Sequence, residues 1–445
     1  MLSKTLQLPW GNELLSITLP EKWQVQGILE PSSLPPCPDP QAEILCALAK
    51  PIGASRLENL VRPGMKVAVV IDDGSRPTPV GRILPAVVSE LEAAGVTRAQ
   101  MVLVPALGLH RPMVPAEIAQ RAAMQLEGLE TVTHNCDDPE QMRFLGTTSY
   151  GSPVWINRTV ADADLVISIG CIEPHLIASF GGGYKNIIPG VAGRVTVAHN
   201  HSLNCSPGTF NMVGQPIDRN PMRLDLEEGS RMLGSKVWVV NAILNHCKEI
   251  VQVVAGDPVS AHRAGVEVSA RLNGVKVSRL ADVVITDSHP MDQDLRQGVK
   301  ALANTIRAVK PGGILITLVR AEEGMGVFGL ANRKFPLSRG ALKVAAPLLV
   351  NFVPKMKLKS MGEEDRFFLY FALQAMIRAR LIMYAPTIPP EKQANLPFVE
   401  FMPTVEQTIQ TGRAKFPGAA DVLVFPYGGI TYPDFGRSIF SMLMP

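Results

Sequence analysis

Short runs rich in valine and isoleucine constrain this chain more than any other feature. They lie at Lys66 to Asp73, Met101 to Ala106, Asp164 to Gly170, Val237 to Ile243, Asp282 to Asp287 and Gly313 to Val319. Uninterrupted apolar runs suit strands covered on both faces, because a strand with one wet face alternates apolar and polar residues. Between several of them apolar residues recur at helical spacing, as at Ile83, Leu84, Val87, Val88 and Leu91, with a stop signal at Gly95. This alternation predicts an α/β fold with largely parallel sheets flanked by helices. With 445 residues, 46% of them hydrophobic, the chain is long enough for two or three domains of roughly 150 residues each. The stretch from Gly256 to Leu280 reads as a helix and a glycine-containing connection, after which a new strand, helix, strand pattern begins. A boundary near Asn273 follows, giving domains 1–273 and 274–445. Pro386 to Pro403 reads as a loop, followed by a helix over Val405 to Lys415 and a strand at Asp421 to Phe425 in a tail that could return to the first domain.

The 43 basic and 40 acidic residues leave a net charge of +3 with no block of like charges, so nucleic acid and anionic membranes are not expected partners. A small molecule is. The six cysteines are scattered without a CxxC pair and read as reduced thiols of a cytoplasmic protein. The N-terminus lacks the apolar core of a signal peptide, and no later segment offers the run of about 18 apolar residues that a spanning helix needs.

In doubly wound sheets ligands bind beyond the carboxyl ends of the strands, and polar chemistry concentrates at such places here. Asp72-Asp73-Gly74-Ser75-Arg76-Pro77-Thr78-Pro79 follows the first run; its turn formers suit a capped loop, but Arg76 can grip an anion with two parallel hydrogen bonds. Leu107-Gly108-Leu109-His110-Arg111-Pro112 follows the second run, and the His110 imidazole can exchange a proton near neutral pH. The densest cluster holds Glu173-Pro174-His175, then Gly181-Gly182-Gly183-Tyr184-Lys185, then His199-Asn200-His201. Three glycines let backbone amides approach an anionic ligand, and Lys185 can pair with phosphate or act as an amine nucleophile. The spacing fits neither a Walker loop nor a dinucleotide fingerprint. In an extended segment His199 and His201 would face one side and could share a metal, with His110, His175 or an aspartate as third ligand. Finally, Arg296, Gln297 and Lys300 are spaced to share a helical face that would hold a carboxylate.

Together these motifs resemble the lactate racemase family of nickel-pincer-nucleotide enzymes. The pieces are DDGSRPTP at Asp72 to Pro79, GLHRP at Gly108 to Pro112, EPHLIASFGGGYKNIIPG at Glu173 to Gly190, AHNHS at Ala198 to Ser202 and MDQDLRQGVKAL at Met291 to Leu302. The resemblance implies two α/β domains with the active site in the cleft between them, the N-terminal one binding the cofactor. That cofactor is pyridinium-3,5-bisthiocarboxylic acid mononucleotide, whose sulfur arms clamp nickel. Lys185 matches the lysine that can tether it and His201 the histidine that completes the nickel's coordination. His110 and His175 match a pair of acid/base histidines. Asp73 and Arg76 match the aspartate and arginine of the family's first loop, with Ser75 and the three glycines as further cofactor contacts. Gln297 and Lys300 match residues that hold the substrate carboxylate, and proteins of cofactor biosynthesis would be additional partners.

The expected reaction is inversion of the α-carbon of a 2-hydroxy acid by reversible hydride transfer, which avoids deprotonating a weakly acidic C–H beside a carboxylate. One histidine takes the hydroxyl proton, a planar 2-keto acid turns, and the other histidine returns a proton on the opposite face. Cationic Arg76 and Lys300 would fix the carboxylate meanwhile. Where lactate racemase has a tyrosine, this chain has Arg296, whose guanidinium could bind a second acidic group and favour malate or 2-hydroxyglutarate; the alternative is a pairing of Arg296 with Asp292. Two other readings compete: a zinc- or iron-dependent hydrolase or dehydratase built on His110, His175, His199 and His201, and a non-catalytic homologue that binds the cofactor without turnover.

Overall fold

The computed structural model describes residues 4–234, 236–326, 329–332, 334–355 and 363–436. The chain divides into two compact units. One comprises Ser33–Asn204 and Gln215–Leu272, here the first unit; the other, the second unit, comprises residues up to 32, Cys205–Gly214 and residues from 273 onward. A single cut near Asn273 therefore captures only one of the crossings between them. The N-terminal segment belongs with the C-terminal half, and the strand Ala420–Phe425 stays in that same unit.

In the first unit the six-stranded sheet runs Ile250–Gly256, Val237–Leu244, Leu165–Cys171, Val67–Asp72, Met101–Ala106, Glu130–Thr131. All neighbours are parallel except the first pair, which is antiparallel. Every residue of Val67–Asp72 and of Leu165–Cys171 is buried, as their unbroken apolar character requires. The helix Val80–Ala93 lays Ile83, Leu84, Val87, Val88 and Leu91 into the same core as Val67, Val69 and Ile71. From Val67–Asp72 the chain builds outward to Met101–Ala106 and Glu130–Thr131. It then returns to add Leu165–Cys171 on the other side of Val67–Asp72. The winding therefore reverses between these two strands, and their carboxyl ends flank the crevice where doubly wound sheets take ligands.

The sheet of the second unit is wholly parallel, in the order Glu400–Met402, Ala379–Tyr384, Val309–Leu318, Ala281–Asp287, Ala420–Phe425, Trp23–Ile28. Its core joins Val283, Ile285, Ile314 and Ile316 to Trp23, Val405 and Ile409. Two of its strands carry little sequence signal. Trp23–Ile28 is an edge strand with alternate residues exposed, and Glu400–Met402 is three residues long inside the proline-rich stretch read as loop. Among the described residues no helix is long and apolar enough to cross a membrane.

Candidate active site

The loops that follow Val67–Asp72, Met101–Ala106 and Leu165–Cys171 supply most of the expected site residues, and hydrogen bonds join these loops at the crevice. Asp72 ends its strand fully inside, bonded to the Thr78 hydroxyl and the Arg121 guanidinium, which also reaches the Asp72 carbonyl at 2.6 Å. This anchors the turn and points the next carboxylate, Asp73, the other way. Asp73 accepts from the Ser75 hydroxyl at 2.5 Å and from His110 Nδ1 at 2.5 Å. Burial opposes ionisation of Asp73, but the hydrogen bond and charge of His110, the Ser75 hydroxyl and the Arg76 charge outweigh it and hold the carboxyl well below its usual range. An ionised carboxylate only accepts, so Nδ1 of His110 carries the hydrogen and Nε2 is the basic nitrogen of the neutral ring.

Arg76 spans the winding reversal: its Nη1 meets Glu173 Oε1 at 2.9 Å. Burial works against the Arg76 charge, and Glu173 and Asp73 more than restore it. Glu173, which carries no assigned role in the sequence reading, is thus the partner that Arg76 already has. His175 is oriented oppositely to His110. Its Nδ1 accepts from the backbone amides of Ala178 at 3.2 Å and Ile177 at 3.4 Å, so Nε2 bears the hydrogen of the neutral ring.

The glycine run departs from expectation. The amide of Gly181 donates to the Glu173 carbonyl and that of Gly183 to Asn241 Oδ1, both at 2.8 Å, so these two amides serve the loop's own shape. Gly182 sits at φ +77°, where an added Cβ would lie 2.6 Å from Ile172 Cγ1, and Gly183 at φ +61°, where it would lie 3.0 Å from the Pro258 carbonyl oxygen. The loop can press onto the sheet only because these side chains are absent. It ends in the short 3-10 turn Gly183–Asn186 that carries Lys185. Burial, with the charges of Arg76 and Arg223, lowers the half-buried Lys185 amine to about 7, against the opposing pull of Glu173 and Asp73.

His199 and His201 lie on the helix Arg194–Ser202, not in an extended segment. Residues two apart on a helix point to different sides, which removes the geometry on which a shared metal was expected. His199 Nδ1 is engaged at 2.8 Å with the Ser152 hydroxyl, which in turn donates to buried Asp225 at 2.8 Å. His201 Nδ1 donates to the Val197 carbonyl at 2.9 Å, leaving Nε2 as the lone-pair nitrogen, the tautomer a metal-ligating histidine adopts. Among the described residues no three histidine, cysteine, aspartate or glutamate side chains gather into a group able to hold a metal ion.

In the second unit, Arg296, Gln297 and Lys300 stand on the helix Leu295–Thr305, as their spacing predicted. Asp294 caps it, accepting from the Gln297 amide at 2.7 Å, and Asp292 lies 3.4 Å from His289 Nδ1.

The lactate racemase N-terminal domain family matches residues 10–210. Lactate racemase of Thermoanaerobacterium thermosaccharolyticum is 28% identical over 326 residues, covering 72% of this chain and 75% of that one. Sequence and fold together set the chain beside the lactate racemases. Lactate racemase of Lactiplantibacillus plantarum is 27% identical over 384 residues, covering 86% of this chain and 88% of that enzyme. The fold of the chain is that of the lactate racemase apoprotein from T. thermosaccharolyticum, with a TM-score of 0.82 at 24% identity over 97% of this chain and all of that one. These relatives indicate an isomerase of the racemase type. Arg223, Asn241 and His262, which hold the glycine loop from beneath, escape sequence reasoning because they sit in helices and strands with no motif of their own.

Proposed function

We propose that this protein inverts the α-carbon of a 2-hydroxy acid by reversible hydride transfer, using a nickel-pincer nucleotide carried on Lys185 and ligated by His201. The observation that carries this reading is the opposite hydrogen-bonding state of the two histidines, with His110 presenting a basic Nε2 and His175 an Nε2–H. The donor set also fits the cofactor: an amine lowered to about 7 is a competent nucleophile at neutral pH, and a lone histidine suits a metal whose other donors come from the nucleotide. When bound, the nucleotide supplies an acceptor for the α-hydride.

His110 takes the hydroxyl proton, and Asp73 stabilises the imidazolium that results, as a buried carboxylate does behind a catalytic histidine. Oxidation of the substrate would leave a planar 2-keto acid, which the chain's own residues would retain while it turns to present its other face. His175 faces the oxygen with Nε2–H, polarising it as a neutral imidazole can. To deliver a proton and keep one, its ring must exchange the two amide contacts at Nδ1 for a hydrogen. Gln297 and Lys300 hold the substrate carboxylate while the remainder turns. Arg76, engaged by Glu173, acts as the fixed charge beside Asp73 and Lys185. Arg296 is the residue through which a second carboxylate, as in malate, would be preferred over lactate.

The test is to isolate the protein from a host that makes the cofactor, measure nickel and intact mass, and assay inversion of α-deuterated lactate, malate and 2-hydroxyglutarate. Inversion with the α-label retained is expected. Loss of label to water would replace hydride transfer by deprotonation, and zinc or iron without an added organic mass would favour a hydrolase or dehydratase. Inversion of lactate but not malate would remove the role of Arg296.

A further inference from the structure

A layer of buried polar side chains underlies the loop that runs from His175 to Lys185, outside the motifs that carry the resemblance. Arg223 is fully enclosed, yet its guanidinium points both Nη1 and Nη2 at the Gly182 carbonyl, each at 3.2 Å, while Nε lies 3.2 Å from Glu227. His262, equally buried, places Nε2 at 2.8 Å from the Gly181 carbonyl and Nδ1 at 2.9 Å from Arg263 Nη1. Arg223 Nη2 also abuts both nitrogens of this ring; because the Gly181 carbonyl only accepts and both guanidinium groups only donate, Nε2–H serves Gly181 and Nδ1 accepts from Arg263 and Arg223. Burial and the two neighbouring guanidinium groups keep this ring neutral. Two successive carbonyls are thus clamped by donors from two different helices, Pro221–Arg231 and Ser260–Asn273. Asn220 adds donors to the Ile177 carbonyl at 2.8 Å and the Ser179 hydroxyl at 3.0 Å.

A buried arginine is costly, and hydrophobic packing would serve stability as well. What Arg223 does that packing cannot is hold the Gly182 carbonyl by a rigid fork and bring a positive charge to bear on the amine of Lys185, three residues beyond that glycine. We propose that Arg223, with His262, is a positioning residue that fixes the Gly181 and Gly182 carbonyls and so sets both the placement and the nucleophilicity of the Lys185 amine. The proposal rests on the reading of Lys185 as the cofactor-bearing group. The charged groups acting on that amine are Arg76 and Arg223, which disfavour its protonation, and Glu173 and Asp73, which favour it.

The test reads the amine itself. The full-length protein without cofactor is treated with acetic anhydride across pH 5 to 10, and acetylation of Lys185 is followed by peptide mass spectrometry beside that of exposed lysines. In the parent, Lys185 should label with a midpoint near 7. Arg223→Met removes fork and charge, leaving Glu227 its bidentate Arg263 partner at 2.8 and 2.9 Å; the midpoint should rise and the plateau rate fall about fivefold or more. Arg223→Lys keeps the charge without the fork, so its midpoint should stay near the parent's while the plateau rate falls. His262→Gln, able to donate to Gly181, should behave as the parent. Unchanged midpoint and rate in folded Arg223→Met would overturn the proposal; if that variant does not fold, parental kinetics in Arg223→Lys would do so. An unmodified Lys185 in active holoprotein would remove the tether reading without touching this result.

Discussion

Asp73 and Lys185 both hold their protons less tightly in the folded protein than in the unfolded chain, so both make stability rise with pH, in two different windows. Asp73 is held ionised far below the usual carboxylate range, so its stabilisation is fully present above the unfolded value of about 3.9 and is lost as pH falls toward the folded one. Asp73→Asn should flatten the acid limb of a urea-unfolding series below pH 4, and should lower inversion by about 100-fold because the His110 imidazolium loses its counter-charge. Lys185 gives the same sign of slope in a higher window: its folded value of about 7 lies below that of a free lysine, so the unfolded chain binds the extra proton, the buried amine costs stability at neutral pH, and stability rises with pH from 7 to about 10. Lys185→Met should raise the Tm at pH 7 by about 2–4 °C while abolishing attachment of the nucleotide, which calorimetry and intact mass would read. An unchanged or lower Tm would mean that the amine is solvated after all.

At the scale of elements, the helix Arg194–Ser202 is placed by Asp225, which accepts from Thr148 at 2.5 Å, Ser152 at 2.8 Å and Asn200 at 2.7 Å. Asp225→Ala should cost about 2–4 kcal/mol in urea unfolding by stranding these buried donors, and should weaken nickel retention because His201 stands on that helix. The helix Leu295–Thr305 makes a separate prediction. Lys300→Met should raise KM for the hydroxy acid by about tenfold or more while leaving unfolding midpoints within error, since its side chain is at the partly exposed face. These helices also show how far sequence reading reaches. The spacing of Arg296, Gln297 and Lys300 was sufficient because a helix fixes which residues share a face. The HxH of His199 and His201 was not, because the same two residues face one side in a strand and different sides in a helix.

The whole molecule is woven rather than cut once. Trp23–Ile28 pairs in parallel with Ala420–Phe425, so a chain lacking residues 1–32 should lose protection from hydrogen exchange in Ala420–Phe425 and keep it in Val67–Asp72. Equal loss in both strands would contradict the division into these two units. No local pattern announces such a pairing: the edge strand WQVQGI alternates, half its residues stay exposed, and its partner lies almost 400 residues later.

The amino-acid order alone determined the α/β class, the central strands, the helix Val405–Lys415 and the candidate residues at strand ends. Those properties follow from local periodicity and from the rule that ligands meet the carboxyl ends of parallel strands. Only tertiary structure decided that Arg76 is partnered by Glu173, that His110 and His175 hold opposite tautomers, and that two of the three glycine amides serve the loop itself. Each of these depends on hydrogen-bond partners between 2 and 97 residues away in sequence, and a partner chosen through space leaves no periodic trace in the chain.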